Sequence, residues 1–274
     1  MGKLDLVIKI GSMALIRKDD NDIDYNILSR LSAELTPGMV LVSSGATEIG
    51  RLDFIKRTGS ELEGEREAVM TDYAAQGQSI LMSQYRQFIR PEYSVRQVLV
   101  EHTHFNEPVK REHIKQLLLR TTEQNAVAII NYNDPVSAEE NRKLELTALR
   151  GSGEEVVECV DNDETASVIA NLVDAGKLVI LTSTEGIYKD PADPSTIVRN
   201  VEGADADELE AQIRRLQESC VGASRAGAQG ARAKLEYIIP AARRGTTVII
   251  GHSKYRVSDL ISGNAPSTRI SISK

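Results

Sequence analysis

Apolar positions along this chain fall into two rhythms that take turns. Short apolar or alternating runs occupy residues 4–10, 39–42, 94–100, 127–130, 178–181, 246–250 and 267–272, and these predict strands. Between them apolar residues recur at helical spacing: Ile23, Ile27, Leu28, Leu31 and Leu35, then across 61–90, then Ile114, Leu117 and Leu118. Later sets are Ala166, Val168, Ile169, Leu172 and Val173, then Leu209, Ile213 and Leu216, and finally Leu235, Ile238, Ile239 and Ala242. A run apolar on both faces, such as Leu178-Val179-Ile180-Leu181, belongs inside a parallel sheet with both sides covered. Strand and helix alternation therefore predicts right-handed crossovers and an α/β fold with helices on both faces of the sheet. In such folds ligands gather at the strands' carboxyl ends.

The polar clusters fall at those ends. The first strand closes in Lys9-Ile10-Gly11-Ser12, an ammonium beside a glycine turn, which is a phosphate-binding arrangement or a plain strand edge. The second runs into Ser43-Ser44-Gly45-Ala46, hydroxyls and a helix start that suit an anion and equally suit a cap. Asn131-Tyr132-Asn133-Asp134-Pro135 ends another strand, as a site for an ammonium or carboxylate or as an Asx turn. Asp161-Asn162-Asp163-Glu164 opens a helix, where capping box and catalysis are both open readings. Gly227-Ala228-Gln229-Gly230 reads as a turn entering a helix, with Lys234 one turn in, as a second phosphate cradle. The charged segment 137–158, with a hairpin tip at 151–153, reads as a mobile flap. Glu101-His102-Thr103-His104 reads as a solvated strand end and no metal ligand is assigned.

Composition narrows the classes. The formal net charge is −7, with acids and bases interspersed, and aromatic content is 4%, so neither a basic face nor a stacking platform for nucleic acid is expected. No apolar stretch is long enough to span a membrane and residues 1–12 lack a signal-peptide layout, so a soluble, cytoplasmic protein is expected, with no membrane partner. Cys159 and Cys220 have no paired spacing and read as idle thiols. No P-loop signature is present, and 151–153 lacks the rest of a dinucleotide fingerprint.

The ordered set VIKIGS, VLVSSGATEIG, AIINYNDPV, VDNDETAS, LTSTEGIYKDPADP and GARAKLE resembles the amino acid kinase family, nearest its glutamate-phosphorylating members, over about residues 4–251. The resemblance implies one αβα sandwich domain around a mainly parallel sheet of about eight strands, with the acceptor in about 1–160 and ATP in about 161–274. It implies Lys9 and Lys234 as catalytic ammonium groups flanking the transferred phosphoryl, held by Asp163. It further implies acceptor binding by Ser44, Gly45, Asp134, Asp161 and Asn162. ATP binding is implied at Gly11, Ser12, Thr182, Ser183, Gly186, Tyr188, Asp190, Gly227 and Gly230. The implied reaction is MgATP-dependent phosphorylation of the glutamate side-chain carboxylate at the start of proline synthesis, with proline as a feedback inhibitor and a homodimer or homotetramer as assembly. Other acceptors (N-acetylglutamate, aspartate, UMP, carbamate) and a catalytically silent binding regulator are the alternatives. Val160 stands where the family has Gly, Gly227-Ala228-Gln229-Gly230-Ala231 stands for Gly-Thr-Gly-Gly-Met, and the flap is longer than usual. No RNA-modification-type C-terminal domain is expected within these residues.

Overall fold

The computed structural model describes residues 4–17, 19–137, 139–151, 156–159, 161–190, 192–220 and 226–273. Val160 and the tip at 152–153 lie outside them. The expected sheet is present with eight strands: β1 Leu6–Ile10, β2 Met39–Ser43, β3 Ser94–Val100, β4 Ala126–Tyr132, β5 Lys177–Thr182, β6 Asn200–Gly203, β7 Thr247–His252 and β8 Ser267–Ile272. Their spatial order is β6-β8-β7-β5-β1-β2-β4-β3, and the β7 to β8 pairing is the one antiparallel neighbour. The half of the sheet containing β1 to β4 comes from the front of the chain and the other half from the rear. They join through the parallel β1 and β5 register, Leu6 to Lys177 through Ile10 to Leu181.

Ten helices of the described residues flank the sheet: α1 Tyr25–Glu34, α2 Ala46–Thr58, α3 Arg66–Phe88, α4 His102–Asn106, α5 Pro108–Arg120, α6 Glu139–Arg150, α7 Asn162–Leu172, α8 Ala206–Ser219, α9 Ala226–Arg243 and α10 Val257–Ser262. The period-2 alternation of β1 divides its side chains between two cores. Leu6, Ile8 and Ile10 pack with Leu28, Leu31 and Ile49 on one side; Val7 packs with Ala166, Ile169, Leu235 and Ile238 on the other. Lys9 shares the parity of Val7, so it points at α7 and α9.

Helix α2 crosses α3 at backbone contact. A Cβ on Gly50 would stand 1.9 Å from the Tyr73 carbonyl oxygen, and one on Gly77 would stand 1.7 Å from that of Ala46. Only glycine lets the two helices approach so closely.

Three local readings are corrected. Glu101 to His104 is not a solvated strand end: His102 starts α4 and is buried, and the Glu101 N–H donates to His104 Nδ1 at 2.8 Å. The segment 137–158, expected as a polar flap with a hairpin tip, contains α6, a helix with Leu146 buried, so its polarity marks a surface helix. Residues 227–231 lie inside α9, so Lys234 sits well within that helix and not at its first turn.

Candidate functional site

The order of strands reverses between β1 and β5, the point where open α/β sheets leave a crevice beyond their carboxyl ends. A cavity of about 340 Å³ opens there, lined from β1 by Lys9, Gly11 and Ser12, from β5 by Leu181, Thr182 and Ser183, and from the other loops by Ser44, Asp134, Asp161, Asn162, Asp163 and Lys234. Met13 and Ala14 complete the wall. Neither carries a polar group, and the sequence offered no signal for them.

Each charged side chain is aimed by its helix or strand. The buried stripe of α7 is Ala166, Ile169 and Ala170, and Asp163 lies one turn ahead on the same face, toward β1. In α9 the buried stripe includes Leu235, Ile238 and Ile239, and Lys234 sits one turn before Ile238. The result is a triad: Lys9 Nζ lies 2.6 Å from Asp163 Oδ1, and Lys234 Nζ lies 3.5 Å from Asp163 Oδ2. Lys9 is only 4% exposed, so its charge is tolerated because Asp163 meets it. Burial alone would push the Asp163 carboxyl up, but Lys9 and Lys234 outweigh it and hold Asp163 below the ordinary aspartate range.

Glycines keep space beside both ammonium groups. A Cβ on Gly11 would stand 3.6 Å from Lys9 Nζ, and one on Gly230 would stand 3.8 Å from Lys234 Nζ. Lys234 Nζ also lies 3.5 Å from the Gly230 carbonyl. Gly45 is the N-cap of α2 with φ 108°, a left-handed conformation that suits glycine, and it supplies no side-chain acceptor to the helix start. That helix start, next to Ser44, therefore keeps its capacity for an anion.

The start of α7 differs. Asp161 caps it, accepting from the N–H groups of Asp163 at 2.8 Å and Glu164 at 2.9 Å, so these donors are already engaged. Burial and the neighbouring Asp163 charge push the Asp161 carboxyl up. Asn162 is held at both ends: its Oδ1 accepts from the Tyr132 N–H at 2.9 Å and its Nδ2 donates to Asn131 Oδ1 at 3.0 Å. It fixes α7 to β4 and lines the cavity at the same time.

Gly186, Tyr188 and Asp190 are not among the cavity's lining residues. Gly186 packs against β8, where a Cβ would stand 2.6 Å from Thr268 Oγ1. Tyr188 belongs to a small strand, Ile187–Tyr188, paired with Ile197–Val198. Asp190 organises its own loop by accepting from the Ala192 N–H at 2.9 Å. Gly227 lies in the first turn of α9. Among the described residues no group of three His, Cys, Asp or Glu side chains is gathered to hold a metal ion.

Two ammonium groups bracketing one carboxylate, with glycine-lined space beside each, can receive a phosphate-bearing ligand at a sheet switch point. Residues 6–252 match the Amino acid kinase family, and the chain belongs to that family. The glutamate 5-kinase of Bacteroides thetaiotaomicron is 29% identical over 260 residues, which are 91% of this chain and 64% of the relative; the chain thus spans about two thirds of that protein's length. Among solved structures, the carbamate kinase from Giardia lamblia bound to AMP-PNP superposes with a TM-score of 0.62 at 16% identity, covering 99% of both chains. The UMP kinase from Bacillus anthracis gives 0.55 at 12% identity, covering 99% of this chain and 97% of its own. The likeness to these two structures is one of fold: an eight-stranded, mostly parallel sheet with flanking helices.

Proposed function

We propose that this chain is an ATP-dependent kinase that phosphorylates the side-chain carboxylate of glutamate, giving an acyl phosphate and ADP. The observation that carries the reading is the Lys9–Asp163–Lys234 triad at the crevice between β1 and β5. Phosphoryl transfer spreads negative charge over equatorial oxygens, and fixed ammonium groups at that position supply most of what catalysis needs. Asp163 holds both lysines at their stations. Mg²⁺, when bound with ATP, would neutralise phosphate charge. An acceptor carboxylate is already ionised at neutral pH and needs no general base.

On the acceptor side, Ser44 and the start of α2 suit a carboxylate, and Asp134 and Asp161 suit a protonated amine. The name of the Bacteroides relative supports glutamate as that amino acid. Thr182 and Ser183 at the end of β5 form the wall assigned to the nucleotide. Proline feedback and a homo-oligomeric assembly belong to the same reading.

The deciding experiment is an ADP-release assay with MgATP across glutamate, aspartate, N-acetylglutamate, UMP and carbamate, with hydroxylamine present to trap an acyl phosphate. Glutamate-dependent hydroxamate is expected. Turnover on another acceptor alone would reassign the substrate, and MgATP binding without turnover on any of them would favour a silent regulator.

A further inference from the structure

The chain leaves β4 through Asp134, makes α6, and comes back to the cavity at Asp161, so an inserted segment carries a cavity-lining carboxylate at each end. Helix α4, none of whose residues is among those lining the cavity, grips that segment at two points. His102 and Asn106 stand one turn apart on one face of α4. His102 is 1% exposed, and its Nε2 lies 2.9 Å from Oε2 of Glu145, a residue of α6 that is 55% exposed. Neither ring nitrogen has a partner in hydrogen-bond geometry among the described residues, so the Glu145 carboxylate, at ion-pair distance, is the contact this buried imidazole makes with α6. One turn on, Asn106 Nδ2 donates to the Val157 carbonyl and Asn106 Oδ1 accepts from the Val157 N–H, both at 2.8 Å. The same Nδ2 donates to the His102 carbonyl at 2.9 Å, which fixes the amide's orientation. Val157 is thereby pinned just ahead of Cys159 and Asp161.

We infer that α4 is a two-point anchor for this inserted segment, and that His102, acting on Glu145, and Asn106, acting on Val157, are positioning residues. By fixing where the segment starts back, they set the separation of Asp134 and Asp161 and hence the affinity for the acceptor. The inference rests on the reading that these two carboxylates face the acceptor. Its test separates the two.

Glu145→Ala removes the first hold from an exposed helix without touching the core, Glu145→Gln keeps an acceptor for the imidazole, and Asn106→Ala removes the second hold. For Glu145→Ala the acceptor KM is expected to rise about five- to tenfold, with kcat and the KM for ATP moving less than about twofold. Glu145→Gln restores the native KM. Hydrogen exchange of the amides over 143–150 speeds up in Glu145→Ala and not in Glu145→Gln, and exchange over 156–161 speeds up in Asn106→Ala. An unchanged acceptor KM in Glu145→Ala, an equal rise in the KM for ATP, or a Gln variant as impaired as the Ala variant would overturn the inference. Should the native chain turn over no acceptor, the functional reading falls. The anchor is then decided by exchange alone, and unchanged exchange in both Ala variants defeats it.

Discussion

At the scale of single residues, the members of the triad are expected to differ in what their loss does to the proposed reaction and to stability. Lys9→Ala and Lys234→Ala each remove one preorganised cation, and each is expected to cost about 10²- to 10³-fold in kcat of the proposed reaction. Circular dichroism should show the fold retained in both; near-native turnover in both would defeat the assignment. Asp163→Asn acts differently, because it strands the buried Lys9 ammonium without its counter-charge. It should lower stability at pH 7 by about 3 kcal/mol. The folded pKa of Asp163 lies below the unfolded one, so its contribution is complete above about pH 4 and fades as the pH drops through the folded value. The urea midpoints of the native chain and Asp163→Asn should converge below about pH 4 for that reason.

Asp161 runs the other way. Burial and Asp163 raise its carboxyl, so ionising it opposes folding at neutral pH, and the opposition disappears once the pH is below the unfolded value. Asn caps a helix about as well as Asp. Asp161→Asn is therefore expected to match or exceed the native melting temperature at pH 7 and to lose that margin near pH 4, as scanning calorimetry would show. The sequence left Asp161-Asn162-Asp163-Glu164 open between capping and chemistry. The structure divides the labour: Asp161 caps, Asn162 ties α7 to β4, and Asp163 meets the lysines.

At the scale of elements, legibility followed burial. Strands β1, β2, β4, β5 and β7 are apolar runs, and α7 and α8 have clear apolar stripes, so their positions could be read directly. Where burial is slight, the signal failed. Helix α6 is written mostly in Glu, Lys, Arg and Leu, strong helix formers, yet with so few core positions it has no apolar stripe to set it apart from a polar flap. The short β6 and the helix α4 have too few apolar positions to set a period. Gly50 and Gly77 gave no hint of what they do, because a close approach is a property of two helices and neither sequence contains it. Gly50→Ala and Gly77→Ala drive a methyl into backbone and are each expected to cost about 3 kcal/mol or more. Gly59 is the control: its φ is 80° but a Cβ would meet nothing within 4 Å, so Gly59→Ala should cost only about 1–2 kcal/mol of conformational strain. Denaturant midpoints ordered the other way would show that the helix crossing yields.

At the scale of the whole molecule, strand order is what the sequence withheld, since pairing is set by packing between distant segments. Only the order shows why Lys9 and Lys234, far apart in sequence, meet: β1 from the front of the chain lies against β5 from the rear. If MgATP bridges the two sides, saturation at about a hundred times its Kd should raise the melting temperature by about 5 °C or more, and the double variant Lys9→Ala, Lys234→Ala should show little of that rise.

The β1 and β5 seam makes the chain divisible in an unusual way. Cut after Gly151, the front fragment keeps four neighbouring strands and Lys9, while the rear fragment keeps the other four with Asp163 and Lys234. Neither piece owns a finished site, and each exposes one raw strand edge that fits only the other. Mixed in solution, the two should regain turnover at a rate second order in fragment concentration, and activity would then serve as a clock for the joining of a sheet.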